Sequence, residues 1–251
     1  MEPDKVIVLI TGANTGIGFE LAAQLAAKGT YFVYLTARSV EEGQAAWERL
    51  RSWNYPGGSA FIQLDVTSDD SIHAAAAAVE QQTGRLDILV NNAAIGRKSP
   101  ENLREQMQAC FDANATGPLI LGDAFADLLK KSTHPLRRIV NVSSGAGSIG
   151  RMIDTTRQRP THYGRTVAYS ASKAAFNMVA AVHKNEFASS GVKVLVYNPG
   201  FTVSELGEFN TVANGAMPVD ASVKLLVDVV EGGRDSEENL FLSGATGTYP
   251  W

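Results

Sequence analysis

Apolar residues along this chain fall into short unbroken runs that alternate with stretches of helical spacing. The first run, Val6-Ile-Val-Leu-Ile10, ends in Thr11-Gly12. Unbroken apolarity over so few residues marks a strand buried on both faces. From Gly16 to Lys28 the apolar positions recur at helical intervals, and Gly29 supplies a C-terminal stop. Tyr31 to Ala37 is aromatic and β-branched and predicts a second strand. Helix formers follow from Val40 to Arg51, then a Pro56-Gly57-Gly58 turn. A third strand is expected from Ala60 to Leu64 and an alanine-rich helix from Asp69 to Gln82. Leu86–Val90, Arg138–Val142 and Val192–Tyr197 predict further strands between helical stretches. Val219–Val230 reads as a late helix and Leu240–Leu242 as a last edge strand.

Strands that alternate with helices of crossover length make βαβ units and a parallel sheet covered on both faces. The expected fold class is therefore α/β, a Rossmann-type doubly wound parallel sheet flanked by helices. No internal repeat, low-complexity tract or linker divides residues 1–251, so one domain is expected. With 45% hydrophobic and 19% charged residues the composition is that of an ordinary globular chain. The formal net charge of −4, from 22 basic and 26 acidic residues, argues against nucleic-acid or membrane-surface partners. The lone Cys110 excludes an internal disulfide and reads as a packed apolar residue in a reducing compartment. His73, His134, His162 and His183 have no metal-ligand spacing, and no metal is expected. No run approaches the ~20 apolar residues of a membrane span, and the N-terminus lacks signal-peptide features. The expectation is a cytoplasmic protein.

Thr11-Gly12-Ala13-Asn14-Thr15-Gly16-Ile17-Gly18 lies between the first strand and the first helix. One glycine there permits the tight turn, the next lets backbone approach a pyrophosphate, and the last lets helix pack on strand. Unpaired N–H groups at the helix start then hold phosphate. At the end of the second strand a carboxylate would accept from a ribose 2′-OH and repel a 2′-phosphate. Thr36-Ala37-Arg38-Ser39 has no acid there; Arg38 offers a planar fork and Ser39 a further donor, which favours NADP(H) over NAD(H).

Tyr169 and Lys173 stand at i and i+4, on one face of a helix that follows the strand ending in Ser143-Ser144. With these residues in place, the sequence resembles the short-chain dehydrogenase/reductase family over nearly its whole length. The resemblance rests on Thr11–Gly18, Asp65-Val66, Asn91-Asn-Ala-Ala94, Asn114, Asn141-Val-Ser-Ser144, Tyr169-x-x-x-Lys173 and Asn198-Pro-Gly200, in that order. Thr36-Ala-Arg38, Gly43-Gln-Ala-Ala46 and Gln63-Leu-Asp65 look most like the NADPH-preferring carbonyl reductases within it.

The resemblance implies hydride transfer between NADP(H) and a carbonyl or alcohol. Tyr169 would be the acid in reduction and the base in oxidation. A phenol of pKa about 10 needs its anion stabilised to work near neutrality, and Lys173, which would also hold the nicotinamide ribose, would supply that field. Ser144 would polarise the substrate oxygen; the family's acting serine lies three residues before a glycine, here Gly147, so Ser143 is the weaker candidate. Pro118 has no N–H for the carbonyl of Asn114, which is then free to hold the water of the family's proton relay, unless the kink carries no chemistry. The cofactor set comprises Gly12, Asn14, Thr15, Gly16, Ile17, Gly18, Arg38, Ser39, Asp65, Val66, Asn92, Ala93, Tyr169, Lys173, Pro199 and Gly200, with Thr202 or Ser204. Asp65 contacts adenine in the family but also stands where it would cap the helix beginning near Asp69. Asn91 and its neighbours would line the nicotinamide side.

Departures from the family pattern are also legible. Residues 145–168 are roughly twice the family's usual span, which points to an insertion around 148–166 carrying Arg151, Arg157, Arg159 and Arg165. This reads either as an exposed insertion that shapes substrate entry or subunit packing, or as a solvated basic loop. Where some relatives carry a basic residue before the cradle's second glycine, this chain has Thr15. Residues 201–218 would form a lid whose Phe201, Leu206, Phe209 and Met217 are apolar and which holds no basic residue. That favours a neutral, apolar or aromatic ketone, aldehyde or quinone. Alternatives are a non-catalytic NADP(H)-binding regulatory protein and an NAD-linked alcohol dehydrogenase. Family members are often dimers or tetramers, though an insertion at a helix interface would leave a monomer.

Overall fold

The computed structural model describes residues 5–96, 102–156, 167–207 and 209–251. Strand β1 (Val6–Ile10) lies in the interior of the sheet and is buried at every position. Its alternate side chains enter two separate cores, which is why the run is continuously apolar. Val6, Val8 and Ile10 join Phe19, Leu21 and Leu25 of α1 (Gly16–Ala27) and Leu226 and Val230 of α9 (Val219–Val230). Ile7 and Leu9 join Ile72 and Val79 of α3 (Asp69–Thr83) and Ala180 and Phe187 of α8 (Val167–Phe187) on the other face.

The remaining strands are β2 (Tyr31–Ala37), β3 (Gly58–Gln63), β4 (Ile88–Asn91), β5 (Arg138–Val142), β6 (Lys193–Asn198), β7 (Phe241–Ser243) and β8 (Gly247–Tyr249). The sheet order is β3-β2-β1-β4-β5-β6-β7-β8, and every pairing is parallel except β7 with β8. The chain is thus a single-domain, doubly wound α/β fold of Rossmann type. Strand order reverses direction between β1 and β4. There the loops leaving their C-terminal ends part and open a crevice.

Several bounds differ from the sequence expectation by one or two residues, β4 beginning at Ile88 rather than Leu86 among them, and three differences have a tertiary reason. β3 starts two residues early, because Gly58 and Ser59 pair with Phe32 and Val33 of β2; a Cβ at Gly58 would meet the Phe32 ring. Residues 240–242 are not an edge strand, since β8 pairs outside β7, with Phe241 opposite Tyr249. The helical stretch through Pro118 divides into α4 (Leu103–Phe111), a π-helical turn (Asp112–Thr116), α5 (Gly117–Ala124) and α6 (Ala126–Lys131). Pro118 falls in the first turn of α5, which continues the helical backbone of the π turn, and that wider turn accommodates the proline ring and its missing N–H.

Helix α2 (Val40–Ser52) returns from β2 to β3, capped by Ser39. After β5 the chain makes a 3₁₀ turn (Gly145–Gly147) and helix α7 (Ile149–Ile153). His162, Arg157, Arg159 and Arg165 lie outside the described residues. Among the described residues, no helix is long and apolar enough to cross a membrane.

Candidate active site

The glycine turn after β1 is built as its sequence suggests. Gly12 adopts φ +60° and Gly16 φ +55°, conformations that side-chain-bearing residues rarely hold. A Cβ at Gly18 would come within 2.5 Å of the Gly12 carbonyl, so only glycine lets α1 start this close to the turn. The turn is also tied to β4: Asn92 Nδ2 donates to the carbonyls of Thr11 at 2.9 Å and Gly12 at 3.1 Å. The first turn of α1 has no acidic residue and Thr15 makes no side-chain cap, so its N–H groups face the crevice without an internal anion.

A cleft of about 1310 Å³ runs from this turn across the C-terminal ends of β4, β5 and β6. Pockets for a single small ligand span ~300–1,000 Å³, so there is room for a dinucleotide and a second molecule. Asn14, Thr15, Gly16, Ile17 and Arg38 line one end. Ser39 does not line it; its hydroxyl accepts from the Glu42 N–H at 3.2 Å and caps α2. Glu42 does line the cleft, where its carboxylate accepts from Asn14 Nδ2 at 3.1 Å. The sequence reading missed this acid because it sits one helical turn beyond the strand tip.

Asp65 and Val66 line the cleft too. The alternative of Asp65 as the cap of α3 is corrected. Ser68 holds that position and accepts from Ser71 N–H, whereas Asp65 accepts from the N–H and hydroxyl of Thr67. Asn92 and Ala93 line the middle of the cleft. Asn91 does not: it is buried in the sheet and donates to Asn141 at 2.9 Å.

Ser144, Tyr169 and Lys173 meet on one wall. The Ser143 hydroxyl donates instead to buried Asn177 at 2.6 Å, which leaves Ser144 as the serine facing the phenol. Burial pushes the Tyr169 phenol up to about 12, opposed by its hydrogen bond with Ser144 and reinforced by nearby Cys110. Cys110 is fully buried, as an apolar residue would be. Lys173 is 2% exposed and burial pulls its ammonium down to about 7. Its Nζ donates to the Val142 carbonyl at 3.0 Å. Gly147 permits this approach, since a Cβ there would lie 2.6 Å from the Lys173 carbonyl carbon.

Asn114 is fully buried in the π turn. Its side chain accepts from Ile95 N–H at 2.8 Å and donates to the Ile95 carbonyl and the Ser172 hydroxyl, each at 2.9 Å. These bonds fix the loop after β4 and link it to α8; none goes to Lys173.

The far end is closed by residues after β6. Pro199, Gly200, Thr202 and Ser204 all line it. The Thr202 hydroxyl is buried among the Pro199 carbonyl and Ser222, whereas the Ser204 hydroxyl accepts from Asn210 and keeps its own proton to donate. Phe201, Leu206 and Phe209 face the cleft, but Met217 does not. Met217 bridges Thr202 and so closes the neck of the loop. Arg151, assigned from sequence to an exposed insertion, and Tyr249 of β8, which sequence did not single out, also line the cleft.

Comparison with known proteins agrees with this architecture. The family model for short chain dehydrogenase matches residues 6–213. The chain is 39% identical over 220 residues to short-chain dehydrogenase anuI of Penicillium roqueforti, covering 86% of this chain and 87% of that one. It is 35% identical over 250 residues to short-chain dehydrogenase/reductase tropE of Talaromyces stipitatus, covering 93% of each. The structure of NADPH-bound carbonyl reductase from chicken fatty liver superposes with a TM-score of 0.83 at 28% identity, covering 98% of this chain and 95% of that one. The chain belongs to the short-chain dehydrogenase family of oxidoreductases.

Proposed function

We propose that this chain is an NADPH-dependent reductase of ketones, aldehydes or quinones with an apolar or aromatic body, reversible as alcohol oxidation. The observation that carries this reading is the meeting of Ser144, Tyr169 and Lys173 on the wall of a cleft that begins at the glycine turn. The likeness to an NADPH-bound carbonyl reductase supports the cofactor.

The residues present fit a dinucleotide. A Cβ at Gly18 would close the turn that this group needs. Backbone N–H groups of residues 14–18 would hold the pyrophosphate, and Arg38, which lines the cleft where Ser39 does not, the 2′-phosphate. Asp65 and Val66 would contact adenine. Asn92, Ala93, Pro199 and Gly200 would flank the nicotinamide, and the free proton of Ser204 suits its carboxamide better than the occupied hydroxyl of Thr202. Tyr169 and Lys173 would hold the ribose. When bound, the cofactor supplies the hydride.

The chain's own residues handle the proton. Ser144 donates a hydrogen bond to the substrate oxygen and draws charge onto it. Tyr169 then gives its phenolic proton to that oxygen, and the burial that raises its pKa keeps it protonated at neutral pH, as reduction requires. A proton on Lys173 lowers the cost of the resulting phenolate. Asn114 positions the loop after β4 and, through Ser172, the helix that carries both groups. Residues 201–218 serve as a lid, with Phe201, Leu206 and Phe209 excluding water from the reacting end.

The test is loss of NADPH absorbance with aromatic ketones, aldehydes and quinones. Tyr169→Phe is expected to lower kcat by ~10²–10⁴ while NADPH still binds by fluorescence. Undiminished turnover in that variant would overturn the assignment.

A further inference from the structure

We propose that Arg151 and Tyr249 form an anion-binding subsite in the cleft wall, which takes a carboxylate carried by the carbonyl substrate. This rests on the reading of the cleft as a carbonyl reductase site and names the substrate class that it selects.

The subsite is built by two segments locked together. Ser148 accepts from the Arg151 N–H at 3.1 Å and donates to the Pro250 carbonyl, so one hydroxyl caps α7 and ties it to the C-terminal tail. Gly150 N–H adds a bond to the Trp251 carbonyl at 2.8 Å. The tail is anchored in turn by Phe241: Trp251 stacks on it with centroids 5.6 Å apart, and Tyr249 meets it edge-on at 5.7 Å. Tyr249 then presents its ring to Arg151, whose guanidinium carbon lies 3.6 Å from the ring centroid.

Stacking occupies the face of a guanidinium and leaves its donors in plane. Arg151 Nε is buried without a hydrogen-bond partner, and among the described residues no carboxylate pairs with this side chain. That atom has no exposed surface, so the donors left to meet an anion in the cleft are the terminal guanidinium nitrogens, which hydrogen-bond to nothing among the described residues. Both residues line the same cleft as Ser144 and Tyr169. Proximity to the reacting end is set by Gly145, the neighbour of Ser144. A Cβ there would lie 2.6 Å from Tyr249 Cε2 and 3.4 Å from Arg151 Nε. The expectation of a neutral substrate considered only the basic residues of the lid; this cation comes from outside it.

Reduction of 2-, 3- and 4-carboxybenzaldehyde beside their methyl esters tests the proposal, together with calorimetric titration of benzoate into the NADP⁺ complex. At least one acid is expected to exceed its ester in kcat/KM by roughly tenfold or more, the range of a charged hydrogen bond. Arg151→Gln should erase that ratio mainly through the KM of the acid, and weaken benzoate by about tenfold. Tyr249→Leu, which removes the ring under the guanidinium, should lower the same ratio. An acid-to-ester ratio that survives Arg151→Gln, or equal benzoate affinity in the two proteins, would overturn the subsite. Silence with every aldehyde and ester would instead sink the reductase reading, and the benzoate comparison would still decide the subsite on its own.

Discussion

The ammonium of Lys173 is buried against the backbone carbonyl of Val142, to which it donates at 3.0 Å. That contact joins α8 to the end of β5 and places a cation in a site that disfavours it. Burial lowers its pKa from 10.5 to about 7. The unfolded chain therefore binds more protons between those values, and stability rises with pH across that window. The penalty of burying Lys173 is complete below pH 7 and gone above 10.5. Lys173→Met should consequently stabilise the fold more at pH 6 than at pH 9, by about 2–3 kcal/mol in the difference. Urea unfolding of both proteins at the two pH values measures it.

Tyr169 titrates far above neutrality, at about 12 when no cofactor is bound, because burial outweighs its hydrogen bond with Ser144. Alcohol oxidation needs the phenolate, so its kcat/KM should climb by about tenfold per pH unit through the neutral range, whereas reduction should not decline there on account of this group. Initial rates in both directions between pH 6 and 9 give the comparison. A reductive rate that collapses at pH 8 would mean that a different group donates the proton.

Gly147 carries the close approach of α8 to the 3₁₀ turn. Gly147→Ala puts a methyl group against the Lys173 backbone, where neither element has freedom to retreat. Overpacking of this kind costs about 1–3 kcal/mol. Because it displaces Lys173 and Ser144 relative to each other, kcat should drop more than KM rises. Chemical denaturation together with steady-state kinetics separates the two effects.

Arg38 and Glu42 stand at the same end of the cleft with opposite charge, and Asn14 holds the acid in place. Arg38→Asp should cost NADPH about 10–100-fold in affinity relative to NADH, since it removes a charged hydrogen bond and adds repulsion. Glu42→Gln should tighten NADPH a few-fold by removing repulsion and leave NADH unchanged. Fluorescence titration of both cofactors reads the ratio. If Glu42→Gln instead weakened NADH selectively, the NAD-linked alternative would gain ground.

Much of the fold is written in the local pattern. β1, β2, β5 and α9 have the bounds expected from apolar runs and helical spacing, because strands buried on both faces and helices covering them leave strong periodic signals. The glycines of the first turn are legible for a similar reason: φ values of +60° and +55° select the residue itself. The tertiary structure decided whatever depends on a distant partner. β8 is three residues long and exists through its pairing with β7. Asn91 and Asn92 are adjacent and chemically identical, yet only the strand's end sends one into the sheet and the other to the cleft. Glu42 reaches the cleft by the helical rise of α2, and Arg151 by the lock between α7 and a tail 102 residues from Ser148. Side-chain direction and long-range pairing carry no local period, so a charge that reads as solvated in the sequence becomes a wall of the site once the chain closes.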